Sequence, residues 1–194
     1  MKMLRKIHPN FISSLSPFIF GPIIVYSLTH TPLATEYLVS ALVFMVLGGV
    51  ADFLDGFHAR ATNQVSNLGK LYDPMCDSIF HLTIWIAFSV IGWIPVWFVL
   101  IFLIRESVIS TMRTYMAVHH IVLAARLSGK MKTLSQCILQ PIIVLLHLTN
   151  LSDNFIYWGQ IAAVSIAAAI TALSFLDYLD HFYVQAREKK FIIN

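Results

Sequence analysis

The sequence predicts an all-α, polytopic integral membrane protein, and three observations support this prediction. Of the 194 residues, 58% are hydrophobic and only 12% are charged. The mean hydropathy is +0.74, whereas soluble domains typically have roughly 45–50% apolar and about 25% charged residues. The apolar residues also form stretches close to the ~20 residues that a helix needs to cross a bilayer. A water-soluble globule is therefore disfavoured.

Six transmembrane helices are predicted, and a single membrane domain is expected over residues 1–194, since no long polar insertion or repeat separates them. The predicted helices cover roughly residues 11–28, 38–59, 71–91, 96–118, 133–148 and 154–183. Before the first helix, Met3, Leu4 and Ile7 lie among basic residues. This pattern favours a short N-terminal helix lying flat at the membrane interface.

The orientation follows from the lysines and arginines, because cytoplasmic loops are enriched in these residues. They precede the first helix, follow the sixth, and occupy the second-to-third and fourth-to-fifth connections: Lys2, Arg5, Lys6, Arg60, Lys70, Arg126, Lys130, Lys132, Arg187, Lys189 and Lys190. The other three connections contain no lysine or arginine. Both termini are therefore expected in the cytoplasm. The net charge of +3 is small and scattered, which argues against a nucleic-acid partner.

Four carboxylates at the cytoplasmic ends of the second and third helices are the strongest functional signal. They are Asp52, Asp55, Asp73 and Asp77. Acidic residues in membrane helices are costly and usually mark a functional site. Spacings of three and four residues place each pair on one helix face, and the short connection predicts that the two helices pack as antiparallel neighbours. Four carboxylates would then converge.

Such a cluster needs compensating positive charge, because like charges in a low dielectric raise one another's proton affinity. Hard divalent cations supply it, and two such ions can serve phosphoryl chemistry. Gly56 and Ala59 would keep the same face open, Arg60 offers a fork for phosphate, and Gly69 lies where the chain turns back. The alternative is that the four acids are solvated helix caps paired with Arg60 and Lys70.

These residues together resemble a known signature. The run Asp52-Phe-Leu-Asp55-Gly56-Phe-His-Ala59-Arg60, followed by Gly69, Asp73 and Asp77 at defined gaps, is similar in every fixed position to the motif of the CDP-alcohol phosphatidyltransferases. The resemblance covers nearly the whole chain, since members of that family are six-span membrane proteins of about this length and are usually dimeric.

The resemblance implies an enzyme that transfers a phosphatidyl group from CDP-diacylglycerol to an alcohol and releases CMP. It implies that two divalent cations, Mg²⁺ or Mn²⁺, are held by the four motif aspartates. Asp77 would complete the metal site and act as the general base. The residues implied to line the pocket for the cytidine and its phosphates are Gly56, Ala59, Arg60, Ser66 and Gly69. The implied location is a bacterial inner membrane, with the active site facing the cytoplasm.

The identity of the acceptor depends on the rest of the chain. Arg105 and Arg113 are about two helical turns apart and so share a face. The stretch from Ile104 to Arg113, with Gly129-Lys130-Met131-Lys132-Thr133 and Gln136, resembles phosphatidylglycerophosphate synthases. Their acceptor is glycerol 3-phosphate, whose phosphate would explain Arg105, Arg113 and Lys130 as an anion pocket. Glu106 is not an obvious partner for Arg105, because sequence neighbours leave a helix on different sides.

Other interpretations stay open at this point. In one alternative, Lys130 and Lys132 serve only to orient the chain in the membrane and to contact anionic lipid. The chain also departs from the synthases at Ser16-Pro17 and at Ser78, where they commonly carry basic residues. Phosphatidylglycerol, giving cardiolipin, is the nearest alternative acceptor, followed by inositol phosphate or serine. A small cation transporter or channel would instead require polar residues along a path across the membrane, and the outer halves of the predicted helices are almost wholly apolar.

Overall fold

The structure is a computed structural model that describes the backbone of residues 16–61, 69–118 and 126–188, and the side chains of residues 16–51, 72–118 and 126–187. In the described residues, a π-helical segment, Ser16–Phe20, leads into six α-helices. They are α1 (Gly21–Thr29), α2 (Thr35–Ala61), α3 (Gly69–Val90), α4 (Val96–Val118), α5 (Leu127–His147) and α6 (Asp153–Glu188). The predicted all-α class is confirmed, since the described part of the chain contains no strand.

The described part of the first predicted helix is not one uniform α-helix. Pro22 has no backbone N–H, and in a continuous α-helix its ring would clash with the carbonyl four residues earlier. The wider π-helical turns lie immediately before this proline. Residues 11–15, the predicted interfacial helix and Ser66 lie outside the described residues.

Two of the later helices extend beyond the predicted boundaries, α5 at its beginning and α6 at its end. Helix α5 begins at Leu127 rather than near Thr133, so Lys130 and Lys132 belong to the helix and not to a loop. Helix α6 continues to Glu188 rather than ending near Tyr183, and Gly69 is the first residue of α3. The apolar stretches mark only the hydrophobic part of each helix, whereas hydrogen bonding and ion pairing continue the helix into polar sequence.

The core lies among α1, α2 and α3, and residues of α4, α5 and α6 complete it. Among its fully buried side chains are Ile24, Trp85, Phe88, Phe102 and Val164. Helix α6 packs along both α4 and α5. A smaller cluster of Ile109, Met116 and Tyr178 connects α4 with α6, so α4, α5 and α6 are held together beside the main core.

The Phe80 ring of α3 packs directly against the backbone of α2 at Gly48. A Cβ atom added there would lie 2.4 Å from Cζ of Phe80, and the Phe80 ring is itself buried. Gly48 also accepts a 3.3 Å hydrogen bond from Ser16 Oγ through its carbonyl. The adjacent Gly49 is different, because a Cβ atom there would meet only Cys137 Sγ, at 3.9 Å.

One helix in the described chain is long and apolar enough, by length and composition, to cross a bilayer. It is the segment Asp153–Arg187. Shorter apolar helical stretches run through Ser16–Thr29 and Thr35–Ala51. Together with the apolar composition, these segments indicate a membrane protein.

The contact between Gly48 and Phe80 predicts a pair of opposite outcomes. Gly48→Ala should destabilise the protein by about 1–3 kcal/mol, because a buried methyl group is forced into the ring. Gly49→Ala should leave stability unchanged or raise it, since both variants share the helix-propensity gain of alanine. Thermal unfolding of the detergent-purified protein measures both. Equal unfolding temperatures for the two variants would contradict the steric argument.

Candidate active site

A cavity of about 680 Å³ opens among α2, α3, α4, α5 and the C-terminal part of α6. Its polar lining consists mainly of Asp77 and Ser78 on α3 and five basic residues from α4 and the region around the start of α5. The five basic residues are Arg105, Arg113, Arg126, Lys130 and Lys132. The structure thus brings Asp77 to the same cavity as Arg105, Arg113 and Lys130.

The motif aspartates are described to different extents. Asp73 and Asp77 lie four residues apart on α3, and both side chains are half-buried. Asp52 and Asp55 lie in the last turns of α2, as do Gly56, Ala59 and Arg60, but their side chains are outside the described part. The predicted convergence of four carboxylates therefore stays a prediction, and no group of three potential ligands occurs among the described side chains.

The two described aspartates fit a divalent cation site in their chemistry. They offer carboxylate oxygens, the ligands that hard cations such as Mg²⁺ prefer. Their four-residue spacing presents both from one helix face. Gly49 and Val50 of α2 line the same cavity as Asp77. The last turns of α2, which carry Asp52 and Asp55, directly follow these two residues along the helix.

Glu106 is the centre of a buried ion cluster, and it pairs with Arg105 although helical spacing does not make this pairing obvious. Arg105 Nη1 lies 3.0 Å from Glu106 Oε1, and Lys132 Nζ lies 2.6 Å from the same oxygen. Ser78 Oγ donates a 2.5 Å hydrogen bond to Oε2. The flexible arginine side chain turns round its own helix, while α3 and α5 supply the other two partners.

This cluster also changes the interpretation of Lys132. Its side chain is only 3% exposed, so it is neither a topology signal in a loop nor a contact for lipid headgroups. Lys132 also interacts electrostatically with Asp77. The ion pair therefore joins α5 to α4 directly beside the last motif aspartate. Lys130, by contrast, is exposed at the cavity.

Arg105 and Arg113 lie on the same face of α4, as their spacing predicts, and both meet Tyr178 of α6. Their guanidinium carbons lie 5.4 Å and 5.3 Å from the centre of its ring. Arg113 Nη2 donates a 2.9 Å hydrogen bond to the Tyr178 hydroxyl, and Arg105 Nη2 donates to Ser174 Oγ at 2.9 Å. The Nε–H groups of both arginines are buried with no hydrogen-bond partner among the described residues.

Asp177, the residue before Tyr178 on α6, holds the beginning of α5 in place. Arg126 Nη2 lies 2.7 Å from Asp177 Oδ1, and Ser128 Oγ donates a 2.5 Å hydrogen bond to Asp177 Oδ2. Counting these contacts, Arg113 and Lys130 are the cavity cations that form no ion pair within the part of the chain that the structure describes. The cavity thus has positive charge available for an anion.

Sequence reasoning missed Tyr178 in the lining of this cavity, and it missed Glu106 and Asp177 as partners of the cations that line it. A weak signal existed for Glu106, because a carboxylate within a predicted membrane helix needs a partner. Tyr178 carries no such signal, since an aromatic residue in an apolar helix is ordinarily core. Only the packing of α6 against α4 brings it to the arginines.

The ion cluster predicts that Glu106→Gln strongly destabilises the protein. The substitution leaves Arg105 and Lys132 buried without their carboxylate, and breaking a buried ion pair typically costs about 3–5 kcal/mol. Thermal unfolding of the purified protein is the measurement. Glu36→Gln is the matched control, because Glu36 is an exposed glutamate in the first turn of α2 and should change little. A Glu106→Gln protein as stable as the wild type would refute this account of the cluster.

Comparison with known proteins agrees with the resemblance in the motif. The family model of the CDP-alcohol phosphatidyltransferases matches residues 6–175. A protein named CDP-diacylglycerol–glycerol-3-phosphate 3-phosphatidyltransferase from Mycoplasma pneumoniae is 27% identical, over 97% of this chain and 93% of its own length. The Bacillus subtilis protein of that name is 31% identical, over 71% of this chain and 69% of its own.

A second kind of relative is similar over a shorter stretch. A cardiolipin synthase (CMP-forming) of Streptomyces coelicolor is 39% identical, over 37% of this chain and 34% of its own length. The family itself is established by the match to most of the chain, motif included. This protein therefore belongs to the CDP-alcohol phosphatidyltransferase family.

Proposed function

We propose that the protein transfers the phosphatidyl group of CDP-diacylglycerol to glycerol 3-phosphate, making phosphatidylglycerophosphate and releasing CMP. The observation that carries this proposal is the single cavity shared by Asp77, a motif aspartate, and by Arg105, Arg113 and Lys130. A carboxylate beside three cations, two of which form no ion pair among the described residues, suits a hydroxyl acceptor that carries its own phosphate. Membership of a transferase family favours this enzyme over a cation transporter or channel.

On the donor side, the residues proposed to hold two divalent cations, Mg²⁺ or Mn²⁺, are Asp52, Asp55, Asp73 and Asp77. When bound, these ions neutralise negative charge on the two phosphates of the CDP-lipid. Gly56, Ala59, Arg60, Ser66 and Gly69 are proposed to line the pocket for the cytidine and its phosphates. Phosphoryl transfer depends mainly on such positioning and charge neutralisation.

The chemical step needs a base at the acceptor hydroxyl, and Asp77 is proposed for this role. Its carboxylate takes the hydroxyl proton while the oxygen bonds to the phosphatidyl phosphorus. The bond between that phosphorus and the bridging oxygen breaks, and CMP leaves with this oxygen. Lys132 and Asp77 line the same cavity and interact electrostatically, which places a positive charge near the proposed base.

On the acceptor side, Arg105, Arg113 and Lys130 are proposed to bind the phosphate of glycerol 3-phosphate. Arginine and lysine form strong charge-assisted hydrogen bonds with phosphate oxygens. The unpartnered Nε–H groups of Arg105 and Arg113 are two such donors, and Lys130 is exposed at the cavity. An anion there would compensate charge that the described residues leave unpaired.

The alternative with a specific observation behind it is phosphatidylglycerol as acceptor, giving cardiolipin. The Streptomyces coelicolor relative carries the name of that activity, and phosphatidylglycerol also has a phosphate that the same cations could contact. The longer matches carry the name of the glycerol 3-phosphate enzyme, which supports the preferred acceptor over inositol phosphate or serine.

We further propose the membrane arrangement. Six helices cross a bacterial inner membrane, both termini and the cavity face the cytoplasm, and two copies form a homodimer among the membrane lipids. The distribution of lysine and arginine supports this orientation, and the bacterial relatives support the kind of membrane.

The proposed reaction is tested with detergent-purified protein, Mg²⁺ or Mn²⁺ and CDP-diacylglycerol. Glycerol 3-phosphate, phosphatidylglycerol, inositol phosphate and serine are offered separately. We expect CMP and phosphatidylglycerophosphate with glycerol 3-phosphate, and no product after the metal is removed with EDTA. Product only with phosphatidylglycerol would overturn the preferred acceptor. No CMP with any of the four would overturn the enzyme.

Asp77→Asn is the matched variant for this reaction, because the amide keeps the shape of the side chain but cannot accept the proton. CMP release should fall by at least about 10²–10⁴-fold, the usual contribution of a general base. Asp153→Asn, an exposed change at the start of α6, should retain wild-type activity. Full activity of a folded Asp77→Asn protein would show that Asp77 is not the general base.

The acceptor pocket makes a separate kinetic prediction. Arg113→Ala should raise the KM for glycerol 3-phosphate by about 10–100-fold, because a hydrogen bond to a charged group contributes roughly 1.5–3 kcal/mol. The KM for CDP-diacylglycerol should stay close to the wild-type value. Arg187→Ala removes an exposed arginine at the end of α6 and serves as the control. Equal changes in both KM values would place Arg113 outside the acceptor pocket.

A further inference from the structure

We infer that Tyr178 is a positioning residue for the acceptor: it fixes Arg105 and Arg113 at the cavity so that they bind the acceptor's phosphate group. This inference rests on the proposed function and extends it to a residue of α6 that lies outside the family motif. Tyr178 is fully buried, with 0% of its surface exposed, and it lines the same cavity as both arginines.

The Tyr178 ring first offsets the repulsion between two like charges. Arg105 and Arg113 both lie over this one ring, at 5.4 Å and 5.3 Å from its centre. The negative face of an aromatic ring attracts a guanidinium, more strongly where water is excluded. Glu106 pairs with Arg105, whereas Arg113 forms no ion pair among the described residues. Arg113 therefore depends most on Tyr178.

The Tyr178 hydroxyl then fixes the direction of Arg113. Its oxygen accepts a hydrogen bond from Arg113 Nη2 at 2.9 Å and another from the backbone N–H of Arg126 at 3.2 Å. The first bond holds one edge of the guanidinium, while the Nε–H on another edge has no partner among the described residues. A planar guanidinium held at one edge presents its remaining donors in a fixed geometry.

Gly129 shows that the position of the Tyr178 hydroxyl is closely constrained. A Cβ atom at Gly129 would lie 2.8 Å from the Tyr178 oxygen, so any larger residue would displace either the ring or the start of α5. Lys130 follows Gly129 directly and lines the cavity. Tyr178 therefore sets the relative positions of the cations on α4 and those at the start of α5.

The inference is tested by steady-state kinetics on Tyr178→Phe. The variant keeps the ring and its burial but loses both hydrogen bonds to the hydroxyl. The KM for glycerol 3-phosphate should rise about tenfold, as expected for one bond to a charged group. The kcat and the KM for CDP-diacylglycerol should stay within about twofold of wild type. Tyr183→Phe, an exposed tyrosine on the same helix, is the matched control and should change nothing.

A double-mutant cycle separates positioning from a general structural role. If Tyr178 acts through Arg113, then Tyr178→Phe should raise the KM for glycerol 3-phosphate much less in an Arg113→Ala background than in the wild type. Gly129→Ala, whose added methyl group would crowd the same hydroxyl, is a second variant. It should also raise the acceptor KM selectively, and thermal unfolding checks that each variant is folded.

The outcomes distinguish this inference from the proposed function. If the wild type uses glycerol 3-phosphate and both Tyr178→Phe and Gly129→Ala keep its KM, the inference about Tyr178 is overturned and the proposed function stands. If the variants lower kcat and raise both KM values together, Tyr178 is structural and the inference is also overturned. A wild type that is inactive with glycerol 3-phosphate would overturn the proposed acceptor, and the inference with it.

Discussion

The geometry of the cavity depends on the charge compensation at Glu106. One carboxylate offsets two cations from different helices, Arg105 of α4 and Lys132 of α5. Burying any of these charges alone would cost several kcal/mol. Together they hold α4 and α5 at a fixed separation, and Ser78 ties the carboxylate to α3. The residue after the last motif aspartate is thereby part of the same cluster.

Charge at this cavity is divided between two tasks. Arg105, Arg126 and Lys132 are engaged by carboxylates of the protein and mainly hold helices together. Among the described residues, Arg113 and Lys130 form no ion pair, and Arg105 keeps an Nε–H without a hydrogen-bond partner, so these three remain able to bind an anion. If every cation were paired with a carboxylate, the cavity would be neutral and rigid. If none were paired, the cations would repel one another. The observed combination gives a positive site with a stable framework.

Much of this arrangement follows from the sequence, and the reasons for the rest are physical. Apolar stretches predict the helices, and the eight-residue spacing of Arg105 and Arg113 predicts their common face. Hydropathy could not predict where α5 begins, because Lys132 is stabilised by a carboxylate on another helix. Helical spacing likewise argued against the pair of Arg105 and Glu106, since it treats side chains as short and ignores contacts from α3 and α5. The role of Tyr178 beside the two arginines can be recognised only from the packing of α6 against α4.

The length of α6 has a consequence for where the two substrates can meet. A helix of 36 residues extends about 54 Å, whereas the hydrocarbon core of a bilayer is about 30 Å thick. If its first residue, Asp153, lies near one membrane surface, Tyr178 lies about 37 Å further along the axis. That distance exceeds the hydrocarbon thickness and reaches the headgroup layer of the opposite leaflet. At that boundary a donor anchored by two acyl chains meets a water-soluble glycerol phosphate, and neither has to leave its own phase to react.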